Sequence, residues 1–142
     1  MVQEDYVSFK IAKLLKEKGF DETCRAFWKD WDDSIVLCDC NSSHCIQYCT
    51  NSILEKYNDC EETNIAAPTL QMAMKWLREK CYCHIVIDYT FKADANLSEE
   101  YVSYCYSVEN AKTYVQYTHN EWYSTYEETC EAAIKYCLEN LI

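Results

Sequence analysis

The chain has 142 residues, 49% of them hydrophobic, and a net charge of −11. That length predicts a single domain, 1–142, large enough to bury a core without disulfide or metal staples. One Gly and one Pro argue against flexible linkers, glycine-rich phosphate loops and disordered low-complexity tracts, and the acidity argues against direct binding to nucleic acid.

The elements follow in chain order. Val7, Ile11, Leu14, Leu15 and Lys18 recur at helical spacing. Ser8 is the expected N-cap, and the lone Gly19 the left-handed residue that ends the helix, with Phe20 folding back onto Leu15. "CRAFW" and "SIVLC" flank the polar turn "KDWDD", which predicts a hairpin over 24–38. The run through "NSILEKYNDCEETN" reads as loop with at most a helical turn. A second helix starts at "APTLQMAMKWLREK", with Pro68 in its first turn. Leu70, Ala73, Met74 and Leu77 form its apolar stripe, and Met72 and Trp76 widen the buried face. "CYCHIVIDYTF" alternates, with Cys83, Ile85, Ile87, Tyr89 and Phe91 on one side. "YVSYCYSV" and "TYVQYTH" predict two more strands, joined at "ENAK". The last helix opens with a capping box, Thr125 with Glu128 or Ser124 with Glu127, and carries a stripe from Tyr126 through Cys130, Ile134 and Leu138 to Leu141. The expected fold class is α+β: an antiparallel sheet of three or more strands with helices packed on one face.

Three segments carry a resemblance. "IAKLLKEKGFD", "APTLQMAMKWLRE" and "YEETCEAAIKYCLENLI", in that order, resemble a group of small proteins of gut Bacteroides-type bacteria and their phages or mobile elements. The group's pattern is a helix ending in KGF, a PTQ…WLRE helix, strands and a YEEA helix. Gln71 falls one place later than the pattern's glutamine, and Thr129 replaces its alanine. The resemblance implies a fold, a reducing compartment and a mobile-element origin. It carries over no catalytic residue.

Chemistry concentrates in two places. Cys38, Cys40, His44, Cys45 and Cys49 lie within twelve residues, and four N or S ligands in a tetrahedron make a structural zinc site. The Cys-x-Cys spacing departs from the usual zinc knuckles, so the competing reading is a set of reduced, partly buried thiols. Cys81, Cys83 and His84 form a second Cys-x-Cys group. A cysteine nucleophile needs a base within hydrogen-bond reach, and Cys83 and His84, adjacent in a strand, face opposite ways. Asp88 reads as a solvated carboxylate. No GxGxxG, P-loop or HExxH motif occurs, and the expectation is a protein that is not an enzyme and has no cofactor beyond the zinc option.

The second place is aromatic. Tyr104, Tyr106, Tyr114, Tyr117 and Trp122 crowd the C-terminal strands, and Tyr and Trp are what binding hot spots use. They are the candidate partner-binding residues, against the alternative of cross-strand pairs that stabilise the sheet. Residues 93–142 hold nine acidic side chains against Lys112 and Lys135, a balance of −7. The expected partner is a protein, foreign or a second copy. Neither nucleic acid nor membrane is expected as a partner. "MVQEDYVSFK" lacks the basic lead and apolar core of a secretion signal, and eleven cysteines are an odd number for a paired framework, so the expected location is cytoplasmic, in host cytoplasm if phage-encoded. The leading expectation is an acidic binding or adaptor protein. The alternatives are a phage-encoded inhibitor that presents its acidic surface to a host nucleic-acid-binding or defence system, and a zinc-stabilised interaction module.

Overall fold

The computed structural model describes residues 2–40, 49–93, 100–118 and 120–142, the side chains of 92–93 and 100–101 excepted. The fold is α+β, with antiparallel sheets and helices. The chain divides into two compact units, Met1–Ala73 and Met74–Ile142. Among the described residues no helix is long and apolar enough to cross a membrane.

The first unit opens with α1 (Phe9–Glu17). Ser8 Oγ accepts from the Ile11 N–H at 3.3 Å, which satisfies one orphan donor of the first turn. The helix stops at Gly19, φ +91°. The Phe20 N–H reaches the Leu15 carbonyl at 2.9 Å and the Gly19 N–H reaches that of Lys16 at 3.0 Å, the Schellman pattern. Ile11, Ala12, Leu15 and Phe20 are buried.

The hairpin forms, with a shorter turn than the sequence predicts. β1 (Ala26–Trp31) and β2 (Ser34–Asp39) pair antiparallel, leaving only Asp32 and Asp33 between them. Both have positive φ, 50° and 58°, the geometry of a two-residue turn matched to strand twist. α2 (Asn51–Glu55), capped by Thr50, then leads to β3 (Glu62–Ala67), a strand the sequence pattern does not announce. The sheet order is β2-β1-β3. α1 and α2 both pack against β3, and Asn51 ties the layers. Its Nδ2 donates to the Phe20 carbonyl at 2.7 Å, and its Oδ1 accepts from the Ala66 N–H at 2.9 Å.

Helix α3 (Leu70–Cys81) carries the boundary between the units. Thr69 Oγ1 caps the Met72 N–H at 3.2 Å. Pro68 therefore precedes the cap and is not in the first turn, and its carbonyl accepts from the Val7 N–H. Leu70, Ala73, Trp76 and Leu77 are buried as expected; Met72 is exposed, because it lies on the flank of the stripe.

The second unit is a meander, β4 (Cys83–Ala93), β5 (Glu100–Asn110) and β6 (Val115–Thr118), in the order β4-β5-β6. Tyr82 before β4 and Tyr114 before β6 hold φ of 60° and 57°. α4 (Tyr126–Asn140) packs on β5 and β4. Its cap is Thr125, whose Oγ1 accepts from the Glu128 N–H at 3.1 Å, and Glu127 and Glu128 sit in the first turn, where the helix dipole favours them. Cys130, Ala133, Ile134, Cys137 and Leu138 are fully buried.

Candidate functional site

The tyrosines lie largely under the helix. Strand alternation puts Tyr104, Tyr106 and Val108 on one face of β5, and the register of β6 against β5 puts Tyr117 opposite Val108 on that face. The same face carries α4. Tyr106 stacks on Tyr123 at 6.4 Å between ring centroids and meets Tyr136 at 6.3 Å; Tyr117 meets Tyr136 at 6.1 Å. Tyr106 is 3% exposed, and burial pushes its phenol well up from the ordinary value. Its ring is core, in contact with α4, and is not presented to a partner. Tyr117 and Tyr104 are half-buried. Tyr114 is exposed in the β5–β6 turn, and Trp122 is exposed beside Tyr123 in the chain. The opposite face is more polar. It holds His84, Val86, Asp88 and Thr90 against Ser103, Cys105, Ser107 and Glu109.

An aromatic surface does remain, at the far end of the β4–β5 ladder. Tyr89 and Phe91 are 64% and 63% exposed. Their rings meet edge to face at 5.5 Å. Tyr89 pairs across the strands with Tyr104, which meets Tyr126 edge to face at 6.0 Å. Glu127 and Glu128 follow directly on α4. Sequence alternation places Tyr89 and Phe91 on the helix side; their exposure depends on where α4 begins, which strand periodicity does not show.

The cysteine stretch resolves in part. Cys24 and Cys49 form an isolated antiparallel bridge, with N–H···O distances of 2.7 and 3.0 Å. Cys40 Sγ lies 3.7 Å from Cys49 Sγ, and all three thiols are buried. Cys38 stands apart, half-buried, near the Val36 carbonyl. His44 and Cys45 lie outside the described residues. Among the described residues, no group of three or more His, Cys, Asp or Glu side chains is placed to hold a metal ion. In the second unit the buried Cys137 donates a hydrogen bond to Cys83, which holds Cys83 below the ordinary thiol value and pushes Cys137 up. His84 points to the other face of β4, away from Cys83. Asp88 is exposed, opposite Cys105.

The thiol environment has a consequence for pH. Burial, then Cys40 and Glu22, push Cys24 up to about 12. Burial also raises Cys40 and Cys49. A thiol held above its free value of 9.0 binds its proton more tightly in the folded chain. Its contribution is complete below about pH 9 and is lost as pH climbs toward the folded value. The urea midpoint is therefore expected to be level between about pH 7 and 9 and lower at pH 11, with a shallower fall in the Cys24→Ala, Cys49→Ala variant. Equal midpoints at pH 8 and 11 would mean that water reaches these thiols.

Compared with family models, curated proteins and solved structures, the chain shows no match.

Proposed function

We propose that this chain is a non-enzymatic binding or adaptor protein, of bacterial or phage origin, that holds a basic protein partner. The observation that carries the reading is the exposed, mutually packed pair Tyr89 and Phe91 beside Tyr104 and Tyr126. Aromatic side chains bring large contact area at low entropic cost, and exposed clusters of them mark interfaces. The carboxylates of Glu127 and Glu128 and the net charge of −11 suit a cationic partner. Cys24, Cys40 and Cys49 are buried and their thiols raised, and the one lowered thiol, Cys83, faces away from the base His84.

The test compares wild type with a Tyr89→Ala, Phe91→Ala variant as bait in lysate of the native host, quantifying each captured polypeptide by mass spectrometry. At least one polypeptide is expected to drop by about tenfold or more, as hot-spot truncation does. Identical capture by both baits would sink the reading.

A second reading is an inhibitor that offers its carboxylates to the phosphate-binding surface of a host protein. Asp30, Asp32, Asp33 and Glu61 line an open hollow of about 600 Å³ and favour it. Capture would then survive loss of Tyr89 and Phe91 and vanish in about 0.5 M salt, where exposed charges are screened within a few ångström.

A further inference from the structure

The two edges of the first sheet are treated differently. On β3, the outward N–H groups of Ala66, Asn64 and Glu62 donate to side-chain oxygens of Asn51, Asn58 and Asp59 at 2.9, 2.6 and 2.8 Å. The Asn64 carbonyl accepts from Asn58 Nδ2 at 3.3 Å. That edge is closed by the chain's own side chains.

β2 is the other edge. The two-residue turn makes Trp31 and Ser34 a hydrogen-bonded pair, and antiparallel alternation then sends the bonds of Val36 and Cys38 to β1. The Cys40 N–H bond to the Arg25 carbonyl, 2.7 Å, keeps the same phase. Ile35 and Leu37 thus turn their N–H and C=O groups outward, and nothing among the described residues bonds them. Ile35, Val36 and Leu37 are also exposed through their side chains. Natural sheets protect such an edge with charge, proline or a bulge; from Ser34 to Cys38 β2 has no charge or proline, and its pairing with β1 runs without a bulge.

Charge stands at the two ends of this edge. Asp32 and Asp33 form the turn. Near the other end Glu4, Asp5 and Asp39 line an open hollow of about 750 Å³ together with Trp28, Leu37 and a single cation, Arg25. Resting on the binding reading above, we infer that the β2 edge takes an extended segment of a partner protein as an added strand, one with a short apolar, β-branched centre and lysine or arginine at both ends. Main-chain bonds to Ile35 and Leu37 supply affinity, and the apolar centre covers Ile35, Val36 and Leu37. The basic ends meet the carboxylates and set the register. A second copy of this chain fits less well. Pairing Ile35 with Leu37 about a two-fold axis at Val36 sets Asp33 of each copy against Asp39 of the other, on two chains of −11.

The probe is a blocked heptapeptide, Lys-Arg-Val-Ile-Val-Arg-Lys, titrated into the 15N-labelled full chain at low salt. Saturable amide shifts centred on Ile35, Leu37 and Asp39 are expected, with affinity falling at least about tenfold as salt rises to about 0.5 M. The same peptide with glutamate at its four basic positions should not bind. Leu37→Pro removes an outward N–H and no ladder bond, a change edge strands tolerate, and it should abolish binding. Ile35→Lys, a second variant with a charge on the edge, should weaken it at least about tenfold. Shifts centred elsewhere, wild-type binding by both variants, or equal binding of the glutamate peptide would overturn the proposal. So would a concentration-dependent doubling of mass that Leu37→Pro removes, which would give the edge to a second copy. If the Tyr89→Ala, Phe91→Ala bait loses its partner while the peptide leaves β2 untouched, the binding reading stands and this one falls. If that bait loses nothing and the peptide docks as described, binding runs through β2.

Discussion

Asn51→Ala is expected to destabilise the protein by about 1–3 kcal/mol, the cost of leaving the buried Ala66 N–H without its acceptor and of losing a donor to the Phe20 carbonyl. Asn51 is 6% exposed. Its amide joins the Phe20 carbonyl, at the end of α1, to the Ala66 N–H on the outer edge of β3. The Ala66 N–H faces away from β1 and takes its acceptor from Asn51. Alanine supplies neither donor nor acceptor. Urea unfolding followed by circular dichroism measures the loss. A change under about 1 kcal/mol would mean that water replaces the amide, and the closed edge of β3 would then be less closed than its geometry indicates. Asn51→Asp tests the donor separately: it keeps an acceptor for Ala66 but sets oxygen against the Phe20 carbonyl.

Leu138→Ala is expected to cost about 2–5 kcal/mol through lost transfer energy and the cavity left behind. Leu138 is fully buried on α4, one turn beyond Ile134 and beside Cys137. Ile134 and Cys137, on the same stripe of α4, are likewise fully buried. The comparison is Glu139→Ala, on the exposed side of the same helix, expected within about 0.5 kcal/mol of wild type. Equal effects from the two would place the α4 stripe outside the core.

The three long helices were legible because pattern and punctuation agree. Each has an apolar stripe at helical spacing, and Ser8, Gly19 and Thr125 sit where caps belong. The meander was legible for the same reason, through alternation in 83–91 and 101–108. β3 was not. Its sequence, "ETNIAA", has one β-branched apolar residue and two alanines, and what makes it a strand is non-local: β1 on one side, and Asn51, Asn58 and Asp59 on the other. The hairpin turn was read too wide because Lys29 and Asp30 look like turn residues. Lys29 instead stays in the strand, paired with Glu62 at 3.2 Å. In the aromatic set, sequence parity put Tyr104 and Tyr106 together but could not show which face α4 would cover, so Tyr106 became core while Tyr89 and Phe91 stayed exposed. Cys24 lies outside the cysteine-rich stretch and joins Cys49 only through a bridge spanning 25 residues, a contact no local spacing encodes.

Gly19 is the chain's one glycine, yet four other described residues, Asp32, Asp33, Tyr82 and Tyr114, hold positive φ with a full side chain. Such a backbone state costs most L-residues about 1 kcal/mol or more, less for the two aspartates than for the two tyrosines. Glycine at Asp32, Asp33 or Tyr114 would relieve that strain, whereas at Tyr82 it would also remove the ring under Lys112, 4.1 Å from its ammonium. The protein thus carries unused evolutionary headroom. A lineage under pressure for heat tolerance has three turn positions, Asp32, Asp33 and Tyr114, to draw on before it needs to touch the core.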